Sequence, residues 1–181
     1  MDDKRARFDA QVMPHLDAAH RFARWLTRSP NDADDVVQEA ILRAYRGFEG
    51  LRGSDVKAWL LAIVKNCHRT MAAQERGRAY VPLPQESDVR DGHAMVATTA
   101  GPETTSMRRD EARTLARLLA ALPEEHREVL ILREIEELGY REIAAVADIP
   151  IGTVMSRLAR ARAALKERWS AEMQGEPLAV R

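Results

Sequence analysis

From Tyr80 to Met107 the chain reads YVPLPQESDVRDGHAMVATTAGPETTSM, rich in Pro, Gly, Ser and Thr and without any helical period. A structureless stretch of about thirty residues is rare inside a compact domain, so the chain is expected to divide there into two folded units. We place the first unit at residues 8–76, a flexible linker at 77–107 and the second unit at 108–170. Fully extended, such a linker reaches on the order of 100 Å.

On either side apolar residues recur at three- and four-residue steps, the spacing of amphipathic helices. Phe8, Val12, Leu16, Ala19, Ala23 and Leu26 mark a first helix that stops before Ser29-Pro30. Asn31 or Asp32 is placed to cap a second, whose apolar side runs through Val36, Val37, Ala40, Ile41, Ala44, Tyr45 and Phe48. Ser54 or Asp55 begins a third, with Val56, Trp59, Leu60, Ile63, Val64 and Cys67 inward and basic residues toward its end. Trp59 and Cys67 lie on that apolar stripe, so both are read as core residues. With aromatic residues at only 5%, and Leu, Ala, Arg and Glu abundant, helices are favoured over sheets and the expected class is all-α.

The second unit opens on Leu115, Leu118, Leu119 and Leu122, then a helix started by Pro123. It closes on LGYREIAAVADIPIGTVMSRLARARAALKERW, from Leu138 to Trp169, which has the form of a helix-turn-helix. Ile143, Ala144 and Ala147 are spaced to pack inward, Asp148 sits at the turn, and Val154, Leu158, Ala161 and Leu165 continue one stripe. The other face carries Thr153, Ser156, Arg157, Arg160 and Arg162, the residue types that meet DNA. The whole chain has 28 Lys and Arg against 28 Asp and Glu, so binding by bulk charge is excluded and local patches must act.

Other classes are disfavoured. There is no Gly-rich phosphate loop, nucleophile motif or metal-ligand spacing among the five histidines, so no enzyme, cofactor or metal is expected. One cysteine permits no internal disulfide, and the longest apolar run, Trp59 to Val64, falls far short of the roughly 20 residues a bilayer span needs. A cytoplasmic protein without membrane insertion is expected.

Four motifs in order resemble the extracytoplasmic-function (ECF) group of bacterial RNA polymerase sigma factors. They are Asp34-Asp35-Val36-Val37-Gln38-Glu39; Trp59-Leu60-x-x-Ile63-x-x-Asn66; Leu122-Pro123-x-x-x-Arg127-x-Val129; and Tyr140-x-x-Ile143-Ala144 followed by Gly152-Thr153-Val154-x-Ser156-Arg157. The resemblance implies a region 2 helical bundle and a region 4 helix-turn-helix domain. It implies that Asp34, Asp35, Gln38 and Glu39, with Val36 or Val37 as the apolar contact, dock on core RNA polymerase at the beta-prime clamp helices, the beta subunit also being contacted. Lys65, Asn66, His68 and Arg69 would hold the separated strand of the downstream promoter element, framed by the loop Arg52 to Asp55. Met155, Ser156 and Arg160 would face base edges of the upstream element, with Thr153, Arg157 and Arg162 steadying the backbone. An anti-sigma factor is the implied regulator. Two departures stand out: Met155 where the group often has Lys or Arg, and Gly139 where a small hydroxyl residue is usual. The rival reading is an autonomous helix-turn-helix transcription regulator that never touches polymerase.

Overall fold

A computed structural model describes residues 2–27, 29–51, 55–78 and 105–174; the linker expected at 77–107 and the loop at Arg52–Ser54 lie wholly or largely outside them. The described residues form eight α-helices and no strand: α1 Asp2–Val12, α2 Leu16–Leu26, α3 Pro30–Gly47, α4 Val56–Arg78, α5 Thr105–Ala120, α6 Glu124–Glu134, α7 Tyr140–Ala147 and α8 Ile151–Met173.

The single helix expected before Pro30 is broken by a 3₁₀ turn over Met13–His15. Pro14 is the cause, because a proline inside a helix donates no N–H and crowds the carbonyl one turn back. The next start is also two or three residues earlier than expected. Ser29, in extended conformation, precedes α3 and Pro30 takes its first position, where a missing N–H costs nothing. At α4 the expectation holds: Asp55 Oδ1 accepts the Ala58 N–H at 2.9 Å.

Helices α2, α3 and α4 pack on one another around Ala19, Phe22, Ala23, Val36, Val37, Ala40, Leu60, Leu61 and Val64, with Phe8 of α1 against Tyr45 and Phe48. Trp59 is half-buried against this core and Cys67 is wholly inside it. Helices α6, α7 and α8 form a second cluster on Val129, Leu132, Ile143, Val154, Leu158 and Ala161, and α5 lies along α8. The two clusters are not separate. Helix α2 packs against α6 and α4 against α7, so one buried network runs through both halves.

Two corners of the second half use left-handed residues that are not glycine, Glu137 at φ 57° and Asp148 at φ 55°. Asp148 ends α7 with its N–H on the Ala144 carbonyl. Asp tolerates this conformation better than most residues, whereas a β-branched side chain does not. Asp148→Val is expected to lower unfolding free energy by about 1–2 kcal/mol; urea titration checks this, and Asp148→Asn should stay close to wild type.

Candidate functional site

Three surfaces carry the residues singled out in the sequence. On α3, Asp34, Asp35 and Gln38 are exposed and Glu39 is half-exposed, joined to Arg43 one turn on at 2.6 Å. Asp34 also faces His20 of α2 at 3.5 Å. Val36 does not belong to this surface. It is 1% exposed and Val37 2%, both consumed by packing against α2 and α4, so neither offers an apolar contact to a partner. That role falls to Leu42, 52% exposed and in line with Asp35 and Gln38 at helical spacing. Tyr45, expected inward, is exposed on the same stripe, where Lys4 and Phe8 of α1 approach its ring. The stripe is therefore acidic at the start of α3 and apolar toward its end.

The second surface is α4. Asn66 and Arg69 are exposed and, with Thr70, Ala73 and Gln74, line an open hollow of about 720 Å³. Lys65 and His68 lie on the side turned to the second half of the chain. The Lys65 ammonium is 2.7 Å from Glu128 Oε1 of α6, with side-chain exposures of only 12% and 8%. It also donates to the Ala147 carbonyl at the end of α7, at 2.6 Å. Burial pushes the Glu128 carboxyl above its ordinary range, and Lys65 pulls the other way. His68 Nε2 lies 3.8 Å from Glu124 Oε1; burial lowers its pKa, and Glu124 pulls the other way.

A second knot joins the halves nearby. Glu136, just past the end of α6, has no exposed side-chain surface. Arg21 of α2 meets both its oxygens in a fork, each at 3.0 Å, and Lys57 of α4 reaches its carboxylate at 3.0 Å and its carbonyl at 2.6 Å. This two-oxygen geometry is what a guanidinium does and an ammonium cannot. Close by, the interaction of Asp55 with Glu142 of α7 lowers the first carboxyl and raises the second. Neither Glu128 nor Glu136 was marked by the sequence, since a glutamate in a helical run looks the same whether it meets water or a cation sixty or more residues away.

The third surface is the outer face of the N-terminal half of α8. Met155 is 50% exposed, Ser156 and Arg160 are exposed, and Thr153 is half-buried. Val154, Leu158 and Ala161 are buried on the other side, so the face is fixed by packing rather than by chance. Arg157 and Arg162 are engaged, the first with Glu125 at 2.5 Å and the second with Glu134 at 2.6 Å. Gly139 before α7 lacks a side-chain cap, and its N–H is accepted instead by the Glu142 carboxylate.

Family profiles match both halves: sigma-70 region 2 over residues 11–77 and sigma-70 region 4 over residues 112–165. The ECF RNA polymerase sigma-E factor of Escherichia coli strain K12 is 33% identical over 159 residues, covering 82% of this chain and 81% of that protein. The chain belongs to the ECF family of RNA polymerase sigma factors. The RNA polymerase sigma-H factor of Pseudomonas aeruginosa is 36% identical over 174 residues, 90% of this chain and 86% of its own. Among solved structures, the sigma factor RpoE of Bartonella quintana, crystallised with the anti-sigma factor NepR, aligns with a TM-score of 0.69 at 26% identity, over 91% of this ECF sigma factor and 97% of that chain. CnrH, solved with the cytosolic domain of CnrY, shares the fold with a TM-score of 0.59 at 24% identity, over 92% and 87%. The helical class and the pairing of a region 2 bundle with a region 4 helix-turn-helix are those the sequence led us to expect. No helix among the described residues is long and apolar enough to cross a membrane.

Proposed function

We propose that this ECF sigma factor binds core RNA polymerase, directs it to promoters, and supports melting and the start of transcription. The observation that carries the reading is the pairing, in one chain, of an exposed acidic-to-apolar stripe on α3 with a helix-turn-helix whose α8 face is free of the core. We take residues 8–76 as the polymerase and downstream-element unit, 77–107 as the linker, and 108–170 as the upstream-element unit.

Asp34, Asp35, Gln38 and Glu39 present carboxylates and an amide to the beta-prime clamp helices, and Leu42 replaces Val36 as the apolar contact. Asn66 and Arg69, with Lys65 and His68 beside them, receive the separated strand. Met155, Ser156 and Arg160 face base edges in the major groove, while Thr153, Arg157 and Arg162 steady the phosphates. Two such grips, held on one polymerase a couple of helical turns apart, give avidity that a chain of zero net charge lacks by itself. A cytoplasmic, non-catalytic role with the beta subunit as a further contact fits this assignment. An anti-sigma partner and a stress or envelope response fit the family, as does the neighbour solved with an anti-sigma factor.

The test is reconstitution. Purified protein plus core polymerase is expected to start transcription on a subset of genomic fragments, and Arg160→Ala should keep core binding while weakening use of the upstream element about tenfold or more, the value of a lost base contact. Tight, sequence-specific binding of the free protein to a promoter duplex, equal with and without core, favours the autonomous regulator instead.

A further inference from the structure

Ile151 and Met155 stand one turn apart at the start of α8, 40% and 50% exposed, while Val154 and Leu158 of the same turns are buried in the core. Around this apolar pair the helix is cationic: from Ile151 to Lys166 it carries Arg157, Arg160, Arg162 and Lys166 and no acidic residue. A partner that matches it is anionic at its rim and apolar within, and the major groove of DNA is such a surface where thymine methyls line it. Much of the polar chemistry nearby is already engaged. Arg157 and Arg162 are paired with Glu125 and Glu134, and the Ser156 hydroxyl donates to the Thr153 carbonyl at 3.1 Å, which leaves its oxygen as an acceptor. Arg160 is exposed and makes no ion pair among the described residues. Its guanidinium can read one guanine; what Ile151 and Met155 add beside it is apolar contact.

We propose that Ile151 and Met155 read the 5-methyl groups of thymines at two neighbouring base pairs of the upstream element, beside the base that Arg160 reads. The inference rests on the placing of α8 in the major groove of that element. Four residues rise about 6 Å along a helix, a little under two base-pair steps of about 3.4 Å, so the two side chains reach methyls one or two pairs apart. Between them Gly152 has open space, with nothing within 4 Å of a Cβ placed there, so the groove wall can come close to the helix. Methionine's unbranched thioether adapts to the methyl it meets, and neither side chain has a donor to offer guanine. Both therefore favour an A·T pair, and the methyl, absent from every other base edge in the groove, is what they recognise.

The experiment uses the full chain with core RNA polymerase and a labelled promoter on which the reconstituted enzyme is active, with binding read at fixed salt. Each thymine of the upstream element is replaced in turn by uracil, which keeps its pairing and its groove acceptor and lacks only the methyl. At two neighbouring positions the wild-type holoenzyme should lose affinity about fourfold, the value of one methyl returned to water. Met155→Ala should lose a similar amount on the unmodified promoter and become indifferent to uracil at one of the two positions, and Ile151→Ala at the other, because the two halves of a contact are not additive. Met155→Leu should keep the sensitivity. Both side chains are exposed, so these variants retain the fold, which circular dichroism checks. An upstream element without neighbouring thymines, affinity unchanged by uracil at every position, or the same uracil loss in wild type and both alanine variants overturns the proposal. Replacing the whole upstream element by unrelated sequence tests the underlying placement separately. If that abolishes binding while uracil has no effect, the methyl reading is wrong and the placement of α8 stands; if binding is untouched, the placement fails and takes the methyl reading with it.

Discussion

Asp35→Arg is expected to weaken binding to core RNA polymerase roughly a hundredfold, about 3 kcal/mol, and to leave the melting temperature where it was. The side chain stands exposed on α3, one turn from Gln38 and two from Leu42, while the residues that hold the helix down, Val36, Val37 and Ala40, face the other way. Reversing its charge therefore changes nothing in the core. Against a basic partner helix the same change replaces an attraction with a like-charge contact, which costs several kcal/mol when desolvated. Leu42→Ala should weaken core binding as well, by the lost burial of an aliphatic side chain, roughly tenfold. The measurement is a titration of labelled core polymerase with each variant, beside a thermal melt. Wild-type affinity for Asp35→Arg would remove α3 from the interface.

Phe22→Ala is the largest stability change we expect. Phe22 is fully buried on α2, the helix that packs on α3 and α4 on one side and on α6 on the other. Truncating a buried phenylalanine to alanine costs about 3–5 kcal/mol, because the surrounding side chains close the cavity only in part. For a chain of this size that corresponds to a fall in melting temperature of roughly 6–20 °C. Calorimetry reads it directly, and a loss below about 1 kcal/mol would mean that α2 is not the shared support we describe.

What the sequence told of this fold was local. The helices of both halves follow from apolar spacing, the Asp55 cap from its side-chain chemistry, and the turn at Asp148 from a residue able to take a positive φ. The break at Pro14 was written in the chain too, but the apolar spacing runs across it, and the spacing alone suggests one helix. The faces of α3 were harder. Val36 and Tyr45 sit where a simple stripe leaves either reading open, and only the arrival of α2 and α4 settles which is covered. The joining of the two halves left no trace in the sequence at all. Lys65 with Glu128 and Arg21 with Glu136 are pairings between distant residues of common types, with no period, cap or turn to announce them.

The fork between Arg21 and Glu136 spans 115 positions of the chain. At about 5–20 residues per second of synthesis, the ribosome takes on the order of 10 s to pass from one partner to the other. During that interval α1 to α4 can already have gathered around their own core, while the glutamates that will face them are still untranslated. Each new molecule thus passes through a period in which the first half is complete and the second half does not yet exist to cover it, and the order of translation exposes α4 before the finished chain closes over it.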